Sequence, residues 1–311
     1  MKMDNILINE IIRNWNIRGI NTFFEIKENI FKIFAINNQY ILKIKPNEKK
    51  YFYENFPFLN EKSNFHVENP ILTIYGKNYY EDNSKIYLLF NFIEGNHLNE
   101  HYSDDYIKQA ELLGEAIASF HLITKEINSN KTSKMNMIED ILNYVYNKIL
   151  EDSSKLDFDF ISKVVVEDFR QNFVPIYKDL PKQIIHRDIH PQNILFNDGK
   201  LTGIIDLDLL TYGIRIFDPC YCSTSILCEA INDSKRLSKW LKIFHQIIFS
   251  YNNVNELNEK EKKNIIYVLF SIQLIFIVFY YDNIEEVKIN ENILKWLYEN
   301  KENITNDIMK I

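Results

Sequence analysis

Residues 186–208, "HRDIHPQNILFNDGKLTGIIDLD", crowd carboxylates, imidazoles and amides between short Ile/Leu runs. An unpaired buried charge is so unfavourable that such groups need a partner, a metal or solvent. "QIIHRDIH", "NILF" and "LTGIIDLD" read as three short apolar segments around polar turns, with Asn197, Asp198 and Gly199 supplying a hairpin turn between the last two. The polar residues therefore fall at strand ends, where the strands fix them and solvent or substrate can reach them. There a carboxylate such as Asp188 can orient a hydroxyl and accept its proton. The Asn193 amide and the Asp206 carboxylate offer the hard oxygens that Mg²⁺ prefers.

Order and spacing add to residue type. His186, Arg187 and Asp188 are followed by Asn193, and Asp206 comes eighteen residues after Asp188. This resembles the H-R-D-L-x-x-x-N catalytic loop of kinases with Ile189 in place of leucine. Singly, each residue has a bland reading: Asp188 capping a turn, Asn193 satisfying backbone groups, Asp206 ending a strand. Jointly and in this order they point to phosphoryl transfer. "HRDIHPQN" places His190 two residues after Asp188, and "GIIDLDLLTYGIRIFDPCY" ends a strand at one aspartate and opens a helix at another, Asp218. On these residues the chain resembles the aminoglycoside phosphotransferase and choline kinase superfamily.

The resemblance implies an α+β, two-lobed protein-kinase-like fold: a small antiparallel β N-lobe with one helix, and a larger, mostly helical C-lobe. It implies Asp188 as catalytic base, Asn193 and Asp206 as Mg²⁺ ligands with Asp208 in support, and ATP or GTP as phosphoryl donor. Lys43 of "YILKI" would contact the α- and β-phosphates, steadied by an acidic residue on the following helix. Glu54 is the choice for that partner, with Glu48 and Glu61 as alternatives. Backbone groups around Asn91, Phe92 and Ile93 would pair with the base, and Asp218 would order the catalytic loop from beneath. The first hairpin carries "EIKENIF" in place of a glycine-rich phosphate loop, so Asn29 and neighbouring amides would cover the phosphates. Only twelve residues separate Asp206 from Asp218, which leaves no room for a long phosphorylatable activation loop. His186 and His190 read as loop-holding rather than proton-transferring, Arg187 and Arg215 as anchors, and His121 as a packed or solvated helix residue.

The elements that must position these groups follow from periodicity. "TFFEI" (22–26), "IFKIFAI" (30–36) and "YILKI" (40–44) are β-branched and aromatic runs, with Asn37 and Asn38 at the second turn. Strand alternation sets Lys43 opposite Tyr40, Leu42 and Ile44. "NEKKYFYENFPFLNEK" reads as a helix that Pro57 must kink or split. "IYLLFNF" (86–92) is a further strand, and Ser103, Asp104 and Asp105 start a helix whose face is Ile107, Ala110, Leu113, Ile117 and Phe120. Helices are expected over roughly 136–151, 158–178, 233–250, 259–281 and 290–303. The division is residues 1–94 as the N-terminal nucleotide-binding β lobe and 95–311 as the helical lobe with catalytic loop and substrate site.

Composition narrows the function classes. The 311-residue chain is 46% apolar and 25% charged, which is ordinary for a folded protein. A net charge of −7 without clustered Lys/Arg argues against nucleic acid as partner. Cys220, Cys222 and Cys228 match neither paired zinc ligands nor an even disulfide framework, and no signal-peptide pattern opens the chain, so a cytoplasmic setting is expected. "IIYVLFSIQLIFIVFYY" (265–281) is at the short limit for a membrane span and is expected as a buried core helix, with no membrane partner. "EKEKK" (259–263) is expected as its solvated start. The sequence thus reads as a small-molecule kinase whose hydroxyl substrate, cationic or neutral, is an aminoglycoside, amino alcohol, homoserine or sugar-like metabolite. The alternative is a catalytically silent kinase-like binding or structural protein, such as a coat or scaffold component.

Overall fold

The structure is a computed structural model that describes residues 5–57, 59, 65–127, 132–151, 154 and 156–311. A helix, α1 (Asn5–Ile12), precedes the strands β1 (Ile20–Lys27), β2 (Ile30–Ala35) and β3 (Gln39–Pro46). A short helix α2 (Lys50–Glu54), the two-residue strand β4 (His66–Val67), β5 (Tyr80–Asp82) and β6 (Lys85–Asn91) follow. Five strands form one antiparallel sheet in the order β1-β2-β3-β6-β5, with Lys43 opposite Leu88.

The period-2 alternation of these strands builds two surfaces. Phe31, Ile33, Leu42, Ile44, Tyr87 and Leu89 close a small core under Ile8, Ile11, Ile12 and Trp15. Ile86, Leu88 and Phe90 face the other way, into the large core that continues through the helical region. Lys43 lies on that second face, as the alternation requires. Pro57 ends the helical run early: α2 stops at Glu54, much shorter than the sequence suggested, and Glu61 lies outside the described residues.

After the hinge that follows β6 comes α3 (Tyr106–Thr124), then α4 (Met137–Glu139) and α5 (Tyr146–Glu151) joined by a π-helical turn, then α6 (Glu167–Asn172) and α7 (Val174–Tyr177). The catalytic segment is built on β7 (Lys182–Ile185), β8 (Ile194–Asn197), β9 (Lys200–Ile204) and β10 (Thr211–Ile214). β8 and β9 form the expected hairpin, its two-residue turn made by Asp198 and Gly199, both at positive φ. β7 pairs instead with β10, and β4 adds to β9 in parallel. The chain ends in α8 (Phe217–Leu227), α9 (Ser234–Val254), α10 (Glu259–Phe279), α11 (Ile284–Glu299) and α12 (Lys301–Ile308).

α10 is the one described helix long and apolar enough to cross a membrane, and 67% of its apolar window is buried inside the protein. Its start differs from expectation. Glu261 is fully buried rather than solvated, closing a capping box with Asn258 and a bidentate pair with Arg215 at 2.7 Å for each contact.

α3 and α9 pack closely because Gly114 has no side chain: a Cβ there would sit 2.3 Å from the Ile247 carbonyl oxygen. Gly114→Ala must push the two helices apart, so it should destabilise the fold by about 1–3 kcal/mol despite alanine's better helix propensity. A urea unfolding midpoint equal to or above the parent's would contradict this packing.

Candidate active site

Lys43, on the cleft face of β3, is 4% exposed, and its ammonium donates to Glu68 Oε2 at 2.8 Å and to Asp206 Oδ1 at 3.1 Å. Burial by itself would lower its pKa, but the carboxylates of Glu68, Asp208 and Asp206 outweigh that and hold it well above the ordinary lysine value. The partner is therefore Glu68, just after β4, and not Glu54. The exposed Glu54 instead accepts from Tyr79 Oη at 2.8 Å, because α2 is too short to carry it into the cleft. No local pattern marks Glu68, which belongs to no predicted element.

Glu68 also accepts the Asp206 backbone N–H at 2.8 Å, and Asp206 adopts φ +63°, a left-handed conformation uncommon for aspartate. Two residues on, Asp208 is taken up by Lys45 and by the Tyr53 hydroxyl of α2. Burial would raise the Asp208 pKa, yet Lys43 and Lys45 keep it below the usual carboxylate range. Asp208 thus ties β3 and α2 to the loop after β9.

Asn193 Nδ2 donates to the Asp188 carbonyl at 2.8 Å, while the Asn193 carbonyl accepts from Ile205 N–H at 3.0 Å. His186 accepts the Asp188 amide at Nδ1 (3.3 Å), which fixes Nε2 as the protonated nitrogen donating to the Ile205 carbonyl at 2.9 Å. Asp188, Asn193 and Asp206 are thereby stitched into one loop pair. Burial lowers the His190 pKa against the opposing charge of Asp188, which favours a neutral imidazole, and the hydrogen bonds His190 gives the loop are those of its main chain.

Beneath the loop, Asp218 is fully buried and accepts the amides of His186 (2.8 Å) and Arg187 (2.9 Å), the latter at φ +72°. Its Oδ2 also meets His121 Nε2 at 2.9 Å, and His121 Nδ1 meets Tyr251 Oη at 2.7 Å. His121 is therefore neither solvated nor merely packed: it is a buried bridge from α3 to the carboxylate under the catalytic loop. At the open end, Tyr221 Oη donates to Asp188 Oδ1 at 2.5 Å. Burial and the adjacent carboxylate hold this phenol well above its ordinary range, so it stays protonated.

Asn91, Phe92 and Ile93 line a cavity of about 570 Å³ together with Glu68 and Thr202. The Phe92 N–H is already spent on the Gln39 carbonyl at 3.0 Å, so that donor is not available to a base, and the Lys32 ammonium sits 3.4 Å over the Phe92 ring. Among the described residues no group of three or more His, Cys, Asp or Glu forms a metal cluster.

A sequence profile for the phosphotransferase enzyme family matches residues 29–239, a span that contains Lys43, Glu68, Asp188, Asn193, Asp206 and Asp218. The chain belongs to this family. A homoserine kinase of Agrobacterium fabrum is 27% identical over 143 residues, which cover 43% of this chain and 41% of the kinase. The chain thus aligns with about two-fifths of that relative's length. An aminoglycoside phosphotransferase from Alicyclobacillus acidocaldarius superposes with a TM-score of 0.70 at 11% identity, covering 100% of this chain and 98% of the other. An amicoumacin kinase in complex with AMP-PNP and Ca²⁺ superposes with a TM-score of 0.67 at 14% identity, covering 96% and 94%. These likenesses establish the kinase-like fold: an antiparallel sheet region followed by a mostly helical one.

Removing one partner of a buried ion pair strands the other charge. Glu68→Ala leaves Lys43 with Asp206 alone and the Asp206 amide without its acceptor, so it should cost about 2–4 kcal/mol, while Glu54→Ala at the surface should cost far less. Urea denaturation of the two variants decides between them, and equal losses would return Glu54 to contention.

Proposed function

We propose that the protein transfers the γ-phosphoryl group of ATP or GTP to a hydroxyl of a small molecule. One observation carries this reading: the Asn193 side-chain amide donates to the Asp188 carbonyl, the Asn193 main-chain carbonyl accepts from Ile205 next to Asp206, and Asp206 in turn reaches the buried lysine. Asp188 orients the acceptor hydroxyl and takes its proton. Lys43 clamps the α- and β-phosphates, and catalysis is mostly positioning and charge stabilisation.

The oxygen donors suit Mg²⁺. With its nitrogen turned to the Asp188 carbonyl, Asn193 keeps its side-chain oxygen for a cation, and the Asp206 side chain is 37% exposed with Oδ1 alone engaged among the described residues. Mg²⁺ takes one or two protein oxygens and fills its sphere with phosphates and water, and when bound it neutralises triphosphate charge. Residues 1–94 serve as the nucleotide lobe and 95–311 as the lobe that holds the acceptor.

An acceptor bearing an amine is supported by the surroundings of the base. Asp140 is half-buried on the π-helical turn after α4, its pKa raised by burial against the opposing Arg187, and no ion pair involving it occurs among the described residues. The Tyr221, Phe276 and Tyr280 rings pack one on the next beside Asp188, and aromatic faces attract cations. The net charge of −7 fits such a substrate better than nucleic acid. Buried free thiols at Cys220 and Cys222 fit a reducing cytoplasm.

The test is a nucleotide-consumption screen with Mg²⁺ and ATP or GTP over L-homoserine, ethanolamine, choline, 1-amino-2-propanol and kanamycin. One acceptor should turn over, and Asp188→Asn should lower its kcat by about 10²–10⁴ while leaving MgATP affinity within about twofold. Thermal stabilisation by MgATP without consumption on any acceptor would favour a silent binding protein instead. Undiminished turnover in Asp188→Asn would remove the mechanism.

A further inference from the structure

Of the two carboxylate oxygens of Asp188, Oδ1 is engaged by the Tyr221 hydroxyl at 2.5 Å. Tyr221 stands on α8 three residues beyond Asp218, so the two side chains share one helix face. α8 therefore holds the catalytic loop at two levels: Asp218 takes the main-chain amides of His186 and Arg187, and Tyr221 takes the reactive side chain. The ring itself is fixed, stacked on Phe217 at 5.8 Å and tilted against Phe276 of α10 at 5.9 Å. A carboxylate on a loop is otherwise free to turn about its terminal torsion, which is broad and roughly two-fold.

We propose that Tyr221 is a positioning residue that fixes the plane of the Asp188 carboxylate and so presents Oδ2 to the acceptor hydroxyl. This rests on Asp188 being the base. A hydrogen bond to a charged group is among the stronger ones a protein makes, and its effect falls on the chemical step, because the hydroxyl is spent on Asp188 and only the ring faces the acceptor.

Tyr221→Phe keeps the ring and its stacking and deletes only the donor. It should lower kcat roughly tenfold, with KM for ATP and acceptor changed less than about twofold and Tm lowered by no more than a few degrees. Since Tyr221 acts through Asp188, the Asp188→Asn/Tyr221→Phe double variant should be no slower than Asp188→Asn alone. If no acceptor in the panel turns over, MgATP hydrolysis by the parent and by Tyr221→Phe is compared instead, and the same roughly tenfold fall in kcat is expected. Full kcat in Tyr221→Phe, a loss confined to KM or Tm, or an equal further loss in the Asp188→Asn background would each overturn the assignment. Retained turnover in Asp188→Asn itself would overturn the underlying reading instead.

Discussion

A lysine ammonium that is 4% exposed cannot stand without counter-charge, and the arrangement of the cleft follows from how Lys43 is satisfied. Desolvating the charge is costly, and two carboxylates within 3.1 Å offset it. They come from different parts of the chain, Glu68 after β4 and Asp206 after β9, so the pair closes only when the sheet and the catalytic segment have come together. Glu68 then does a second task with the same oxygen, accepting the Asp206 amide and holding that residue in its left-handed conformation. Backbone strain of this kind survives only where the surroundings over-determine it, and it collects at functional sites.

Arg187, another residue of this site at positive φ, is held the same way from below. Asp218 receives its amide, and a run of buried polar groups continues from Asp218 through His121, Tyr251 and Asn255 to Arg215 and Glu261. The capping box of α10 is thus linked, hydrogen bond by hydrogen bond, to the loop that bears Asp188. Such a network is rigid only when every member is satisfied, which is the case along this path. The loop that bears Asp188 is consequently held between two charged anchors, and on the proposed reading Asp188 Oδ2 is the atom that meets a substrate.

Much of this was legible beforehand. The β runs and the Asp-Gly turn are local signals, and each fell where periodicity or turn chemistry put it; His186, Asp188, Asn193 and Asp206 follow from a motif whose loops the structure sets side by side. What escaped were partners set by tertiary contact. Glu68 lies 25 residues from Lys43 behind a two-residue strand, and Glu54 was preferred because a helix was expected to carry it inward. His121 meets Asp218 across 97 residues, Tyr221 meets Asp188 across 33, and Glu261 meets Arg215 across 46. A polar residue on a helix reads as surface until the fold supplies a buried partner: Asn258 three residues before Glu261 is a local capping-box signal, but the pairing with Arg215 is set by tertiary contact.

On the proposed reading, the side-chain oxygens of Asn193 and Asp206 would hold Mg²⁺ and Lys43 would hold the phosphates of a bound nucleotide. A crystal structure of the protein with Mg²⁺ and AMP-PNP tests it directly. The expected result is a metal about 2.0–2.1 Å from Asn193 Oδ1 and an Asp206 oxygen, with the Lys43 ammonium on the phosphates. A nucleotide bound elsewhere, or a metal that leaves Asn193 and Asp206 untouched, would contradict it.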